Sequence, residues 1–211
     1  MGKVRFRYSK TGRAKYISHL DLMAIMQRSF IRAGINLKYS EGFNPHPYMS
    51  VALPLSVGCQ SVCELMDVAI ADDAIPEIKK IKLPEGIEIS DAYTASRKFA
   101  EISWIETCGS IFYDKMPDND LINRLNMCFS KESVVISKRS KRGVKELDIA
   151  PFIKDVAVSM ETGIKIRAKI SAQNPTLNTD DLINVIDSDI KPDFTSMKRI
   201  AIYDSNMLLF T

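Results

Sequence analysis

The chain contains two histidines, His19 and His46, and both stand where an imidazole could do chemistry. His46 lies in Tyr39-Ser40-Glu41-Gly42-Phe43-Asn44-Pro45-His46-Pro47. The residues before Pro45 and Pro47 are confined to extended conformations, and Gly42 permits backbone angles that other residues avoid. A loop stiffened in this way fixes the direction of a side chain. Rigid placement matters to a binding or catalytic group, since an error of about an ångström can cost ~100-fold. The plainer alternative is a structural turn in which His46 caps a carbonyl. His19 follows Ser18 and precedes Asp21, so it falls at a helix start, where free N–H groups attract anions. A pair of histidines beside Asp21 or Glu41 could transfer protons, pair with phosphate or hold a metal. The two share no helical spacing, so the metal signal they make is a weak one, with His19 and His46 as its candidates. His19 and His46 are the candidates for catalysis, and no cofactor is implied.

Cations adjoin both. From Lys3 to Lys15 every charged residue is basic: Lys3, Arg5, Arg7, Lys10, Arg13 and Lys15. A second run, Lys138-Arg139-Ser140-Lys141-Arg142, lies in the other half. Residues 64–91 are mainly acidic, and the net charge is only +3. Local basic segments on a near-neutral chain predict a patch that meets phosphate, RNA or an acidic partner. A solvated strand edge or hairpin tip is the competing explanation. The phosphate-contact candidates are Arg5, Arg7, Lys10, Arg13, Lys15, Asn44, His46, Lys138, Arg139, Lys141 and Arg142, with Tyr16, Phe43 or Tyr48 placed to stack on bases.

Several chemistries are excluded. Cys59 and Cys63 are three residues apart with no third cysteine two further on, so the chain lacks the CxxxCxxC set of a radical SAM cluster. It has no P-loop, no GxGxxG turn after a strand and no Gly-x-Ser-x-Gly elbow. No segment approaches the roughly eighteen apolar residues of a membrane span, and no apolar stretch follows the basic N-terminus. The four cysteines are spread over both halves, as core thiols would be. The expectation is a soluble cytoplasmic protein without membrane contact.

The elements that must position these residues follow from periodicity. Val4–Tyr8 alternates apolar and basic residues, the period of a half-buried strand. Leu22, Ile25, Met26, Ser29, Phe30 and Ala33 form one helical stripe, with Gly34 at the C-terminal cap. Short strands are expected at Leu37–Ser40 and Met49–Leu53, then a strand over Glu64–Ile70, a helix over Ile75–Lys82 and a strand over Ile87–Ala92. Leu53-Pro54-Leu55-Ser56-Val57-Gly58 reads as a tight turn walling the site. The order strand, helix, strand, strand, helix, strand is the ferredoxin-like βαββαβ pattern. Past residue 99 it returns: a strand over Ile102–Tyr113, a helix over Asp118–Phe129, a hairpin around the basic run, strands over Val156–Met160 and Ile164–Ile170, a helix from Thr179 and a strand over Ser196–Tyr203. The expectation is therefore an α+β protein of two tandem ferredoxin-like units, residues 1–98 and 99–211, with antiparallel sheets and helices on one face. The second unit holds more strands than the pattern needs.

Four stretches also carry a resemblance. Arg5–Gly12, Tyr16–Asp21, Tyr39–Pro47 and Ala52–Gly58 resemble the radical-SAM-linked protein family, a bacterial domain of unknown function. That domain occurs beside, or fused C-terminal to, a radical SAM protein that often has a cobalamin-type domain. Its genes frequently neighbour those of an RNase E/G-type ribonuclease and of ribosomal proteins. The match is specific up to Gly58 and looser over Ser137–Ile149. Ala150 stands where the family tends to carry a basic residue. The resemblance implies a radical SAM protein as partner and an RNA-related or accessory role.

Three functions remain open at this point. One is a non-catalytic binding protein that holds RNA or a ribonucleoprotein substrate for the radical SAM enzyme. Another is a His-dependent, metal-independent endoribonuclease, since tandem ferredoxin-like units resemble the CRISPR repeat-processing enzymes; the Gly-rich C-terminal loop of those enzymes is missing here, because Met197–Thr211 contains no glycine. The third is a partner of the radical SAM enzyme that binds protein alone.

Overall fold

The computed structural model describes residues 3–70, 74–115, 120–140, 143–160 and 163–211, and the side chains of all of these except 139 and 140. Strand β1 (Lys3–Lys10) leads through a 3-10 turn at Gly12–Tyr16 into helix α1 (His19–Arg32). Strands β2 (Met49–Val51) and β3 (Gln60–Ala69), the single-turn helix α2 (Ile75–Ile78) and strand β4 (Ile87–Thr94) follow. Within this first unit, residues up to Glu101, the strand order is β4-β1-β3-β2, with every pairing antiparallel.

The apolar residues of β1 meet the stripe of α1. Val4, Phe6 and Tyr8 are buried against Leu22, Met26 and Phe30. The Phe6 ring lies 5.7 Å from Phe30 and 5.8 Å from Tyr8, centroid to centroid, at a 47° tilt. Each such side chain contributes about 1.5–3 kcal/mol of burial, which fixes the face that α1 presents. Ser18 caps the helix by accepting the Asp21 N–H at 3.2 Å, as expected of that position. Gly34 takes φ +74 just past the last turn, the left-handed geometry that favours glycine at a helix end.

In the second unit, residues Ile102–Phe210, strand β5 (Ile102–Phe112) is followed by α3 (Leu121–Phe129). The hairpin β6 (Val135–Ser140) and β7 (Gly143–Asp148) comes next. Strands β8 (Ile153–Met160) and β9 (Ile164–Ser171), helix α4 (Thr179–Ile183) and strand β10 (Phe194–Asp204) complete the unit. Its order is β10-β5-β9-β8, again antiparallel throughout. The surplus strands are the hairpin, whose two arms pair with each other.

The chain is thus α+β, with mostly antiparallel strand pairing and four α-helices among the described residues. Several expected elements differ, among them β3, which begins at Gln60, four residues early. Leu37–Ser40 is not a strand; it makes one bridge, Tyr39 with Pro47, because Gly42 and the prolines keep the segment from running alongside a partner. The helix from Ile75 stops after one turn instead of reaching Lys82. Strand β8 begins at Ile153, three residues early, and carries a bulge between Lys154 and Ala157. Among the described residues no helix is long and apolar enough to cross a membrane.

Candidate nucleic-acid interface

Two of the expected phosphate contacts are interior residues. Arg5 is 0% exposed. Its Nε and Nη2 donate to the two Asp67 carboxylate oxygens at 2.7 and 3.2 Å, and Nη2 also donates to the Arg97 carbonyl at 2.6 Å. The Phe99 ring covers the guanidinium at 4.3 Å. Alternation correctly turns Arg5 away from Phe6, but a second layer from residues 97–99 covers that face. Lys10 keeps the parity of Phe6 and Tyr8, so it points into the core and is 1% exposed. Its Nζ donates to the Ile17 carbonyl at 2.5 Å, pinning the turn that leads into α1. Burial pushes its pKa down, and the nearby Glu64 carboxylate opposes that. Arg5 and Lys10 therefore hold the site's frame and do not face a ligand.

Arg7 is half-buried, on the wall of a cleft of about 600 Å³ with Ser90, Asp91, Tyr93 and Ser96. Lys79, 2.8 Å away, holds the Asp91 carboxyl below the usual range. Burial pushes the Tyr93 phenol up.

The surface residues gather at two places. At the first, the Gly12–Tyr16 turn is tied down by Thr11 N–H to the Gly86 carbonyl (2.8 Å) and by Gly12 N–H to the Gln60 side chain (3.2 Å). Gly58 N–H donates to the Lys15 carbonyl at 2.9 Å, which seats the Leu53–Gly58 turn beside it. On this base Arg13 is exposed, and Tyr16 is 65% exposed with the Lys15 ammonium 5.0 Å over its ring. His19, Leu20 and Val57 are exposed here too.

The second place is the proline-stiffened loop. Ser40 N–H donates to the His46 carbonyl at 2.8 Å, His46 N–H to the Ser40 hydroxyl at 2.9 Å, and Tyr48 N–H to the Lys38 carbonyl at 2.8 Å. These bonds close the loop on itself, and Gly42 turns it with φ +116. Phe43, Asn44 and His46 are exposed, Phe43 fully so. Lys38 lies 5.8 Å over the Tyr48 ring.

The two histidines do not share a bonded site. Among the described residues neither imidazole takes part in a hydrogen bond or ion pair, and no group of three or more His, Cys, Asp or Glu is placed to hold a metal. Their segments hang from opposite ends of β1. Ile17 is held by Lys10, whereas Tyr48 bonds to Ala69, which pairs with Lys3. Seven residue steps along the strand separate those anchors by about 23 Å. The N-terminal polar region is thus two cation–aromatic surfaces on one unit.

In the second basic run, Lys138 is committed: its Nζ pairs with Asp181 at 2.8 Å and also donates to the Thr176 carbonyl. Arg139 contributes its backbone to the hairpin opposite Val144, and Lys141 and Arg142 lie outside the described residues. Sequence reasoning missed Lys38 as the cation beside Tyr48, and Leu20 and Val57 as the apolar rim around Tyr16. For Leu20 the signal was present, since it falls off the buried stripe of α1.

No curated protein matches the chain. Residues 3–179, from β1 through the start of α4, match a family described as uncharacterized protein conserved in bacteria (DUF2344), and the chain belongs to that family.

Proposed function

We propose that the protein is a non-catalytic binding module that holds RNA, or a ribonucleoprotein substrate, for a partner radical SAM enzyme. The observation that carries the RNA part is the exposure of Tyr16 and Phe43. Tyr16 lies in water under the Lys15 ammonium and Tyr48 under Lys38, an arrangement that suits base stacking backed by phosphate contacts. The partner follows from the resemblance of Arg5–Gly12, Tyr16–Asp21 and Tyr39–Pro47 to the radical-SAM-linked family. We also propose that each unit is ferredoxin-like. Support comes from the order fourth-first-third-second in both, once β6 and β7 are set aside as an insertion between the first helix and second strand.

The test is binding of short single-stranded RNA to the intact protein at low salt. Each of Tyr16→Ala and Phe43→Ala is expected to weaken binding by about 1–3 kcal/mol, the worth of one stacked base. The RNA should emerge uncut; cleavage lost in His19→Ala or His46→Ala would overturn the non-catalytic assignment. Absence of binding at low salt would remove RNA as the ligand. Co-purification of a radical SAM protein after nuclease treatment tests the partner.

A further inference from the structure

The second unit has a sheet face that neither histidine nor the basic runs involve. Register assigns its residues. Ile105, Ile170 and Ile202 lie opposite one another and are buried, as are Ile111 and Ile164. These mark the core face. The residues between them point the other way: Trp104 opposite Tyr203, Glu106 opposite Lys169, and Cys108 between Lys198 and Arg167. Lys165 and Lys154 complete that face on β9 and β8.

Its composition is not that of a second core. Among the described residues it carries five cations, Lys154, Lys165, Arg167, Lys169 and Lys198, against the two carboxylates Glu106 and Asp155. Lys154 sits 4.2 Å over the Trp104 ring and Lys169 5.0 Å over the Tyr203 ring. Glu106 is buried at the centre and organises the rest. It accepts from Arg167 Nε at 2.5 Å and from the Tyr203 hydroxyl. Burial pushes its carboxyl up, but these two bonds together with the charges of Arg167 and Lys169 hold the group below its ordinary value. Arg167 is fixed in place while its side chain stays 58% exposed. On β9, Lys165, Arg167 and Lys169 recur at every second residue, a straight row of cations about 7 Å apart.

We propose that this face binds single-stranded nucleic acid, with bases on Trp104 and Tyr203 and phosphates along Lys165 and Arg167, while Lys169 stays paired with Asp155 at 2.7 Å. Charge complementarity selects the ligand: protein interfaces are depleted in lysine at their centres, whereas a row of cations flanked by aromatic rings suits a sugar–phosphate strand with free bases. The proposal rests on RNA being the ligand class of the protein, but it uses different residues.

Trp104 is the chain's single tryptophan, so its fluorescence reports on this face alone. Titration with oligouridylate should quench it. Trp104→Ala and the pair Lys165→Gln and Arg167→Gln should each weaken binding of labelled RNA by about tenfold or more, with circular dichroism confirming the fold. Equal binding of single-stranded DNA would mean that phosphate and stacking suffice, and RNA preference would mean that the 2′-hydroxyl is read; both support the proposal. Labelled RNA that binds without quenching, and equally to these variants, overturns it while sparing the first unit's surface. Quenching by anionic phosphatidylserine vesicles but not by RNA or DNA overturns it in favour of a lipid surface.

Discussion

At the scale of single residues, charge in this protein divides into structural and available groups. Arg5 and Asp67 form the clearest structural pair, with both side chains out of water. Removing one partner of such a pair leaves an uncompensated buried charge. Asp67→Asn is therefore expected to cost about 3–5 kcal/mol of stability, read as a lower midpoint in urea. An unchanged midpoint would mean that Arg97 and Phe99 alone can hold the guanidinium. The sequence made the strand legible and the parity of Arg5 correct. It could not reveal that residues 97–99 return over that face, because a covering segment leaves no periodic mark on the strand it covers. Lys10 was open to a better reading, since it continues the even-numbered series of Val4, Phe6 and Tyr8. Ending the expected strand at Tyr8 left that parity out. Tyr16 was legible as an aromatic residue next to a cation and Phe43 as one held in a stiff loop, and both are exposed.

At the scale of elements, the long periodic segments were readable and the short ones were not. α1 and its cap follow directly from Ser18, Asp21 and the apolar stripe, because local bonds and one buried face determine them. α2 is a single turn whose extent depends on tertiary contacts rather than on its own pattern. The hairpin's base shows how a small polar device ends an element. Asp148 accepts from Val134 N–H at 2.9 Å and from Ala150 N–H at 3.1 Å. Those backbone donors hold its carboxyl below the ordinary 3.8. A carboxylate whose folded pKa is depressed stabilises the fold above its unfolded pKa, and loses that contribution as pH falls through the folded value. The Val134 and Ala150 amide resonances should titrate together with a midpoint below 3.8, and both amides should exchange faster in Asp148→Ala. A midpoint at or above the ordinary value would show that the cap does not form in solution.

At the scale of the whole molecule, a net charge of +3 conceals cations gathered on particular surfaces and carboxylates spent on internal pairs. Binding of single-stranded RNA releases about 0.7 counterions per phosphate neutralised. If three to five phosphates are met, a plot of log affinity against log salt should fall with a slope of roughly −2 to −4. A flat plot would refute phosphate contact on any surface. The α+β class and the antiparallel character were legible from alternation and from the order of elements. The β6–β7 hairpin has a last consequence. Its arms bond to each other, and Lys138 fastens it to Asp181 and Thr176. Residues can be added or lost in pairs beyond Lys138 without shifting the register of β5, β8 or β9. Among members of the family, insertions and deletions should therefore concentrate at this hairpin, while the strands on either side keep a constant length.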